Sequence, residues 1–332
     1  MSAVLMIAIG ACQKNRPNPI TGFTGFSAKA SDYYDSISIQ DGLLRFETRT
    51  CLISVLEELQ AEVLFHHDTF TETWGHLGED EYHAKVLELG FDEEQPLIDF
   101  ENHFGLTSLR HVIRAAEEAW LDAGGDTAGD PDSYFIPDQF IRTLLNQANE
   151  FDVSDTIYKL VEHGWFAVHT GGYTTLVALR AWLDSVESDQ VPLPDHLSGK
   201  VSSHMWIPIN CYCLGKKDDF AYNTAGDRKI KWEVSHICYP IVGPVARAET
   251  TNYRKRTNGN WIKTEATTYV RVWGNHRPDG NPCGDIRQFD TGTIGLPNSK
   301  SWAMSVRVGK TQYGWVNGYH KGVANIEYTS NI

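Results

Sequence analysis

Leu52, Val55, Leu56, Leu59 and Val63 recur three or four residues apart, a spacing that predicts a one-faced helix from Arg49 to Phe65. Glu79 to Leu89 reads as a second, shorter helix. Leu109, Val112, Ile113, Ala116 and Trp120 form the stripe of a third, which Thr107 or Ser108 can cap and Gly124-Gly125 ends. A further helix fits Pro137 to Gln147, with proline in its first turn, and another fits Thr174 to Val186. Between these last two the period shortens. Phe151-Asp152-Val153, Thr156 to Leu160 and Trp165 to Val168 read as a small meander, and Leu43 to Phe46 as a short opening strand.

Beyond Arg228 alternation dominates. Ile230, Trp232 and Val234 alternate with Lys229, Lys231 and Glu233, and Trp302, Met304, Val306 and Val308 with Ala303, Ser305 and Arg307. Thr267 to Trp273 and Gln312 to Tyr319 are further strand candidates. Residues 187–227 carry Pro192, Pro194 and Pro208 among glycines and aspartates, the composition of a linker or crossover. The expected fold class is therefore α+β. A mainly helical domain with a β-meander (43–187) is followed by a linker (188–227) and an all-β, sandwich-like or barrel-like domain (228–332).

Charge sharpens this division. Residues 1–199 hold 11 Lys and Arg against 33 Asp and Glu, while residues 200–332 hold 18 against 10. An acidic half precedes a basic one. The basic half can face an anionic partner, such as an acidic glycan, a lipid headgroup or nucleic acid, or the two halves can attract each other.

The N-terminus suggests a location. Val4 to Ile9 is apolar, Gly10-Ala11-Cys12 follows, and the chain turns polar at Gln13. Small residues before a cysteine at the end of a short apolar run fit the cut site of a lipoprotein signal peptide, with Cys12 as the lipidated residue. Residues 13–42 then read as a tether. No Lys or Arg precedes the run, so a buried first strand is the competing reading. The run is too short to span a bilayer, which takes about 20 apolar residues. Export would permit disulfides, with a pairing left open among Cys211, Cys213, Cys238 and Cys283; Cys51, in a helical stripe, reads as a buried thiol.

The Cys12 motif, Leu106-Thr107-Ser108-Leu109-Arg110 and Val153 to Leu160 resemble uncharacterised exported lipoproteins of Bacteroidota. Arg228-Lys229-Ile230-Lys231-Trp232 and Gly318-Tyr319-His320 resemble the same group. The resemblance implies an envelope protein and brings no assigned catalytic residue.

Motifs of chemistry are few. His66 and His67 are adjacent, so on a helix they diverge by about 100° and do not converge with His76 or His83 on a metal. Asp126, Asp130 and Asp132 crowd one glycine-rich loop and are weak calcium candidates without the ordered spacing of a calcium loop. Gly-x-Ser-x-Gly, the phosphate-binding Gly-x-x-x-x-Gly-Lys and Gly-x-Gly-x-x-Gly are all missing from the sequence, and no cofactor is implied. The basic β region combines rings and cations: Trp261, Arg271, Trp273, Arg307 and Trp315 are the ligand-binding candidates, with Trp261 expected to be exposed in an Asn-rich turn. Trp232 and Trp302 are expected to fill the core. The sequence thus points to a lipid-anchored envelope protein without catalysis, binding a partner protein or glycan. Nucleic acid is not expected, since no recognised module is present. The alternative is an exported polysaccharide hydrolase whose carboxylates are assembled by the fold.

Overall fold

A computed structural model of the chain describes residues 34–125, 129–186, 192–205, 214–276, 286–308 and 315–332. Two strands open it, β1 (Ile37–Gln40) and β2 (Leu43–Phe46), joined by a turn in which Asp41 and Gly42 both take positive φ. Five helices follow: α1 (Arg49–Trp74), α2 (Glu79–Leu89), α3 (Gln95–Phe104), α4 (Leu109–Asp122) and α5 (Gln139–Leu144). Thr48 caps α1 and Ser108 caps α4, each side-chain oxygen accepting a first-turn N–H. Then come β3 (Glu150–Val153), β4 (Thr156–Val161), β5 (Gly164–Val168), α6 (Gly172–Leu183) and β6 (Val201–Met205). These six strands form a first sheet in sequential order.

The regular elements in the rest of the described chain are strands, apart from one short 3-10 turn (Val323–Asn325). A second sheet contains β7 (Gly215–Tyr222), β8 (Arg228–Tyr239), β9 (Gly243–Lys255), β10 (Trp261–Lys263) and β14 (Ser301–Arg307). A third contains β11 (Ala266–His276), β12 (Arg287–Asp290), β13 (Ile294–Ser299), β15 (Val316–Lys321) and β16 (Glu327–Asn331). Both are antiparallel. One face of each contributes to a shared core that includes Trp232, Val234, Ala246 and Ala248 from the second sheet and Val270, Val272 and Val316 from the third. The arrangement is consistent with a sandwich.

The expected order of a helical domain followed by an all-β domain is overturned. The described chain is mostly β, with sixteen strands in three sheets and six α-helices interspersed among them. The reason is non-local pairing. β2 lies parallel to β3 across about a hundred residues, Phe46 opposite Val153, so the opening strand and the meander become one sheet. The stretch read as linker also supplies strands: β6 pairs with β5 and β7 with β8. Residues 37–40, within the expected tether, form β1.

The two halves share a core as well. Leu52, Leu56, Leu109, Ile141 and Leu144 from the helices and Phe46 and Phe151 from the first sheet pack in one cluster with Ile237, Tyr239 and Val245 from β8 and β9. Each such side chain, fully buried, contributes about 1.5–3 kcal/mol.

Candidate functional site

β11 turns Val270 and Val272 into the shared core, so by the period of two Tyr269, Arg271 and Trp273 stand on the outer face of the third sheet. The register sets their neighbours. Tyr319 of β15 lies opposite Arg271, Asn317 opposite Trp273 and Lys321 opposite Tyr269. Asp290 of β12 flanks Trp273 on the other side. Trp315 continues the β15 alternation, held where Asn275 Oδ1 accepts its N–H at 3.1 Å. Gly274 makes this approach possible, because a Cβ there would lie 2.2 Å from the Trp315 carbonyl oxygen. Gly295, opposite Tyr269, likewise leaves room for the tyrosine ring.

Arg271 is fixed twice. Its Nε donates to Asp290 Oδ1 at 2.8 Å, a second nitrogen donates to Asp290 Oδ2, and the guanidinium carbon stands 4.8 Å from the centre of the Trp273 ring. The hydrogen bond from Arg271 lowers the Asp290 carboxyl pKa. Along the row, Glu327 accepts from Tyr319 Oη at 3.0 Å and pairs with Lys321 at 3.0 Å. The face therefore carries aromatic rings among oriented donors and acceptors, and its cations are locally neutralised.

The structure brings Arg271, Trp273 and Trp315 together and leaves the other candidates elsewhere. Arg307 ends β14 in the second sheet, opposite Val245. Trp261 is not exposed: it opens β10 and is 5% accessible, packed on Leu121 of α4 and on Tyr253, because Asn260 of the preceding turn is tied to the Asp122 carbonyl at the end of α4. Trp232 fills the shared core and Trp302 packs at its margin. Cys12, Asp126, Cys211, Cys213 and Cys283 lie outside the described residues. Cys238 is disulfide-bonded, and its partner lies outside them too. Cys51 is a free thiol 3.0 Å from Ser36 Oγ.

Asp130 and Asp132 are engaged by cations of this chain. Lys231 Nζ lies 2.7 Å from Asp130, 3.0 Å from Asp132 and 3.4 Å from Asp218, and Arg142 pairs with Asp132 at 2.5 Å. These pairs belong to a buried array on the face of the second sheet opposite the shared core. There Lys216 meets Glu233 at 2.8 Å, and Arg247 bridges Glu233 and Glu249, which stand directly opposite each other on β8 and β9. Lys263 meets Glu117 of α4 at 2.7 Å. Burial raises the Asp132 carboxyl pKa, but Lys231, Arg142 and Lys216 outweigh it and hold the group well below its ordinary range. Glu233 is lowered in the same way by Lys216 and Arg247 against its burial. Next to the array, the buried Lys229 ammonium lies 4.2–5.2 Å from the ring centres of Phe220, Trp261, Trp120 and Tyr253 and donates to Gly125 O at 2.8 Å.

Sequence reasoning missed this array although the signal was visible. The alternation of Lys229, Lys231 and Glu233 marks one face of β8, and only the fold shows that this face meets Asp130, Asp132 and the Gly125 carbonyl of the acidic half.

A hydrolase needs acids or a carboxylate–histidine pair open to substrate. His83 Nδ1 does lie 2.7 Å from Glu265 Oε2, and Glu93 is near. Burial pushes the Glu93 carboxyl up to about 7. Yet Glu265 is 3% accessible, and both Glu93 oxygens accept the Lys300 backbone N–H, so the cluster ties α2 to the turn between β13 and β14. An open hollow of about 330 Å³ near β1 and β2 holds Glu47 and Asp155, the latter paired with Arg45. Among the described residues no group of three or more His, Cys, Asp or Glu is arranged to hold a metal. No helix among them is long and apolar enough to cross a membrane, which says nothing of a β-barrel.

No protein-family model matches the chain, and no curated protein matches its sequence.

Proposed function

We propose that this chain is an exported, lipid-anchored, non-catalytic binding protein of the cell envelope, and that the outer face of the third sheet binds a glycan chain. The observation that carries the reading is the row Tyr269, Arg271, Trp273 and Trp315. It combines ring faces able to stack on sugar rings with hydrogen-bonding groups already oriented by Asp290, Asn275 and the sheet register. Because Arg271 and Lys321 are paired with Asp290 and Glu327, the row suits a neutral glycan better than an acidic one. Part of the basic charge of the C-terminal half is engaged inside the molecule, Lys231 by Asp130 and Asp132 and Lys263 by Glu117. The second and third sheets form the β-sandwich that presents the row.

Two observations support the cellular setting. The first is the Cys12 motif, and the second is the disulfide at Cys238, a bond that persists in oxidising compartments. The anchor would be Cys12, on the periplasmic face or at the cell surface, and the glycan or an envelope protein carrying it would be the partner.

A glycan array with the full chain tests the proposal. Binding to neutral glycans, lost in the Trp273→Ala/Trp315→Ala double variant, supports it. Removal of a central Trp costs about 2 kcal/mol or more of binding, roughly thirtyfold in affinity. New reducing ends in the glycan after incubation would overturn the non-catalytic reading in favour of the hydrolase. Cell fractionation of Cys12→Ala tests the anchor: the wild type is expected in the membrane fraction and the variant outside it.

A further inference from the structure

The register of the third sheet singles out a residue that the glycan reading has not used. β15 turns Val316, Gly318 and His320 inward, and Gly318 is held there closely: a Cβ on it would lie 2.5 Å from His320 Nε2 and 2.8 Å from Ser330 Oγ. Asn317 therefore stands half-buried on the outer face, with Trp315 and Tyr319 two residues away on either side. Across the strands it lies directly opposite Trp273 of β11 and Asn331 of β16. Three rings and a second amide thus surround Asn317 on a patch of roughly 10 Å by 14 Å, as the spacing of strands and the rise per residue set it.

The neighbours on this face are already engaged with one another. Asp290 holds Arg271, Glu327 holds Tyr319 and Lys321, and Asn275 Oδ1 holds the Trp315 N–H. The Asn317 and Asn331 side-chain amides form no hydrogen bond among the described residues, so a ligand replaces solvent there without breaking a bond inside the fold. A primary amide sets a donor, Nδ2, beside an acceptor, Oδ1. Two neighbouring hydroxyls complement it, one accepting and the other donating. A carboxylate or phosphate, having only acceptors, would leave Oδ1 unmatched, and the nearby cations Arg271 and Lys321 are already paired. A sugar lays its C–H face on an aromatic ring and projects its hydroxyls from the edge. Stacked on Trp273 or Trp315, it turns that edge towards Asn317.

We infer that Asn317, with Asn331 beside it, is the specificity-determining residue of this face, and that it reads an unsubstituted pair of neighbouring hydroxyls on a sugar unit within the chain. The inference rests on the glycan reading above.

An array of paired hexasaccharides tests it: 1,4-linked and 1,3-linked glucose, mannose and galactose, each in both anomeric linkages. Internal units of the 1,4-linked member keep neighbouring hydroxyls at C2 and C3, and those of the 1,3-linked member have no such pair. The free ends are alike within a pair. The wild type is expected to bind the 1,4-linked member of at least one pair about tenfold tighter, the worth of one or two neutral hydrogen bonds. Asn317→Leu should bring that member down to the level of its 1,3-linked partner with the unfolding midpoint unchanged. Asn317→Thr, suited to a strand and left with a single hydroxyl, should lose the preference as well and serves if the leucine variant is unstable. Trp273→Ala/Trp315→Ala should lose both members. Equal binding within every pair, or a preference that survives both Asn317 variants, would overturn the inference and leave the glycan reading standing. A wild type that binds no member of any pair would remove the glycan reading, and this inference with it.

Discussion

Two regions of this molecule use the same ingredients, Trp or Tyr rings beside Arg or Lys cations paired to carboxylates. On the face of the second sheet turned away from the core it shares with the third, Trp261 lies against Lys229 and Lys231 is enclosed by Asp130, Asp132 and Asp218. On the outer face of the third, Trp273 lies against Arg271, which is paired with Asp290. They differ in burial. The Lys231 side chain is 3% accessible and that of Arg271 37%. In the buried array, each charge has lost its water and must be matched by a partner in the fold. On the exposed face the same chemistry keeps its water and remains open to a ligand. Composition cannot separate a structural array from a binding surface; the side of the sheet can.

Breaking the buried region should give the largest effect. Lys231→Met leaves Asp130, Asp132 and Asp218 without their shared cation and is expected to cost about 3–5 kcal/mol in denaturant unfolding. Trp261→Ala should cost a similar amount, about 3–5 kcal/mol, through the cavity it leaves beneath α4. Neither should change the glycan preference of whatever protein remains folded.

A pH titration separates a third buried group from both regions. Burial raises the Glu93 carboxyl to about 7, so between the unfolded carboxyl range and pH 7 the folded protein binds more protons than the unfolded chain. Its contribution to stability therefore falls as pH rises through that window. His320, buried between Thr250 and Ser330 and lowered to about 3, acts in the opposite sense, since the unfolded chain binds its proton first as pH falls below about 6.5. The difference between the wild type and Glu93→Gln isolates the carboxyl. That difference should grow in favour of the variant from pH 5 to pH 7.5, by at most about 3 kcal/mol. A flat difference would mean that Glu93 titrates normally.

The smallest effect on stability should come from the exposed row. Arg271→Ala and Trp315→Ala are each expected to move the unfolding free energy by about 1 kcal/mol or less. The same substitutions should weaken ligand binding markedly.

Local elements were well marked in the sequence and their assembly was not. The Ser108 cap, the α2 boundaries and the β3–β5 meander follow from spacing and turn residues. The parallel pairing of Phe46 with Val153 could not be seen, because no local period records a contact across about a hundred residues. Neither could the burial of Trp261, whose turn composition looks exposed until α4 covers it. Arg271, Trp273 and Trp315 were legible as candidates, and their grouping on one face required the β11–β15 register. The acidic and basic halves were legible as a division, and Lys231 with Asp130 and Asp132 shows that part of that division serves attraction between them.

The central claim is that the exposed row binds and the buried array only supports. Its most direct test is to measure glycan affinity and unfolding midpoint together for Trp273→Ala/Trp315→Ala and for Trp261→Ala. The expected result is a clean exchange: the first variant loses affinity and keeps its midpoint, and the second loses its midpoint and keeps affinity while folded. Unchanged affinity in Trp273→Ala/Trp315→Ala would contradict the account, as would binding lost through Trp261→Ala in protein that is still folded.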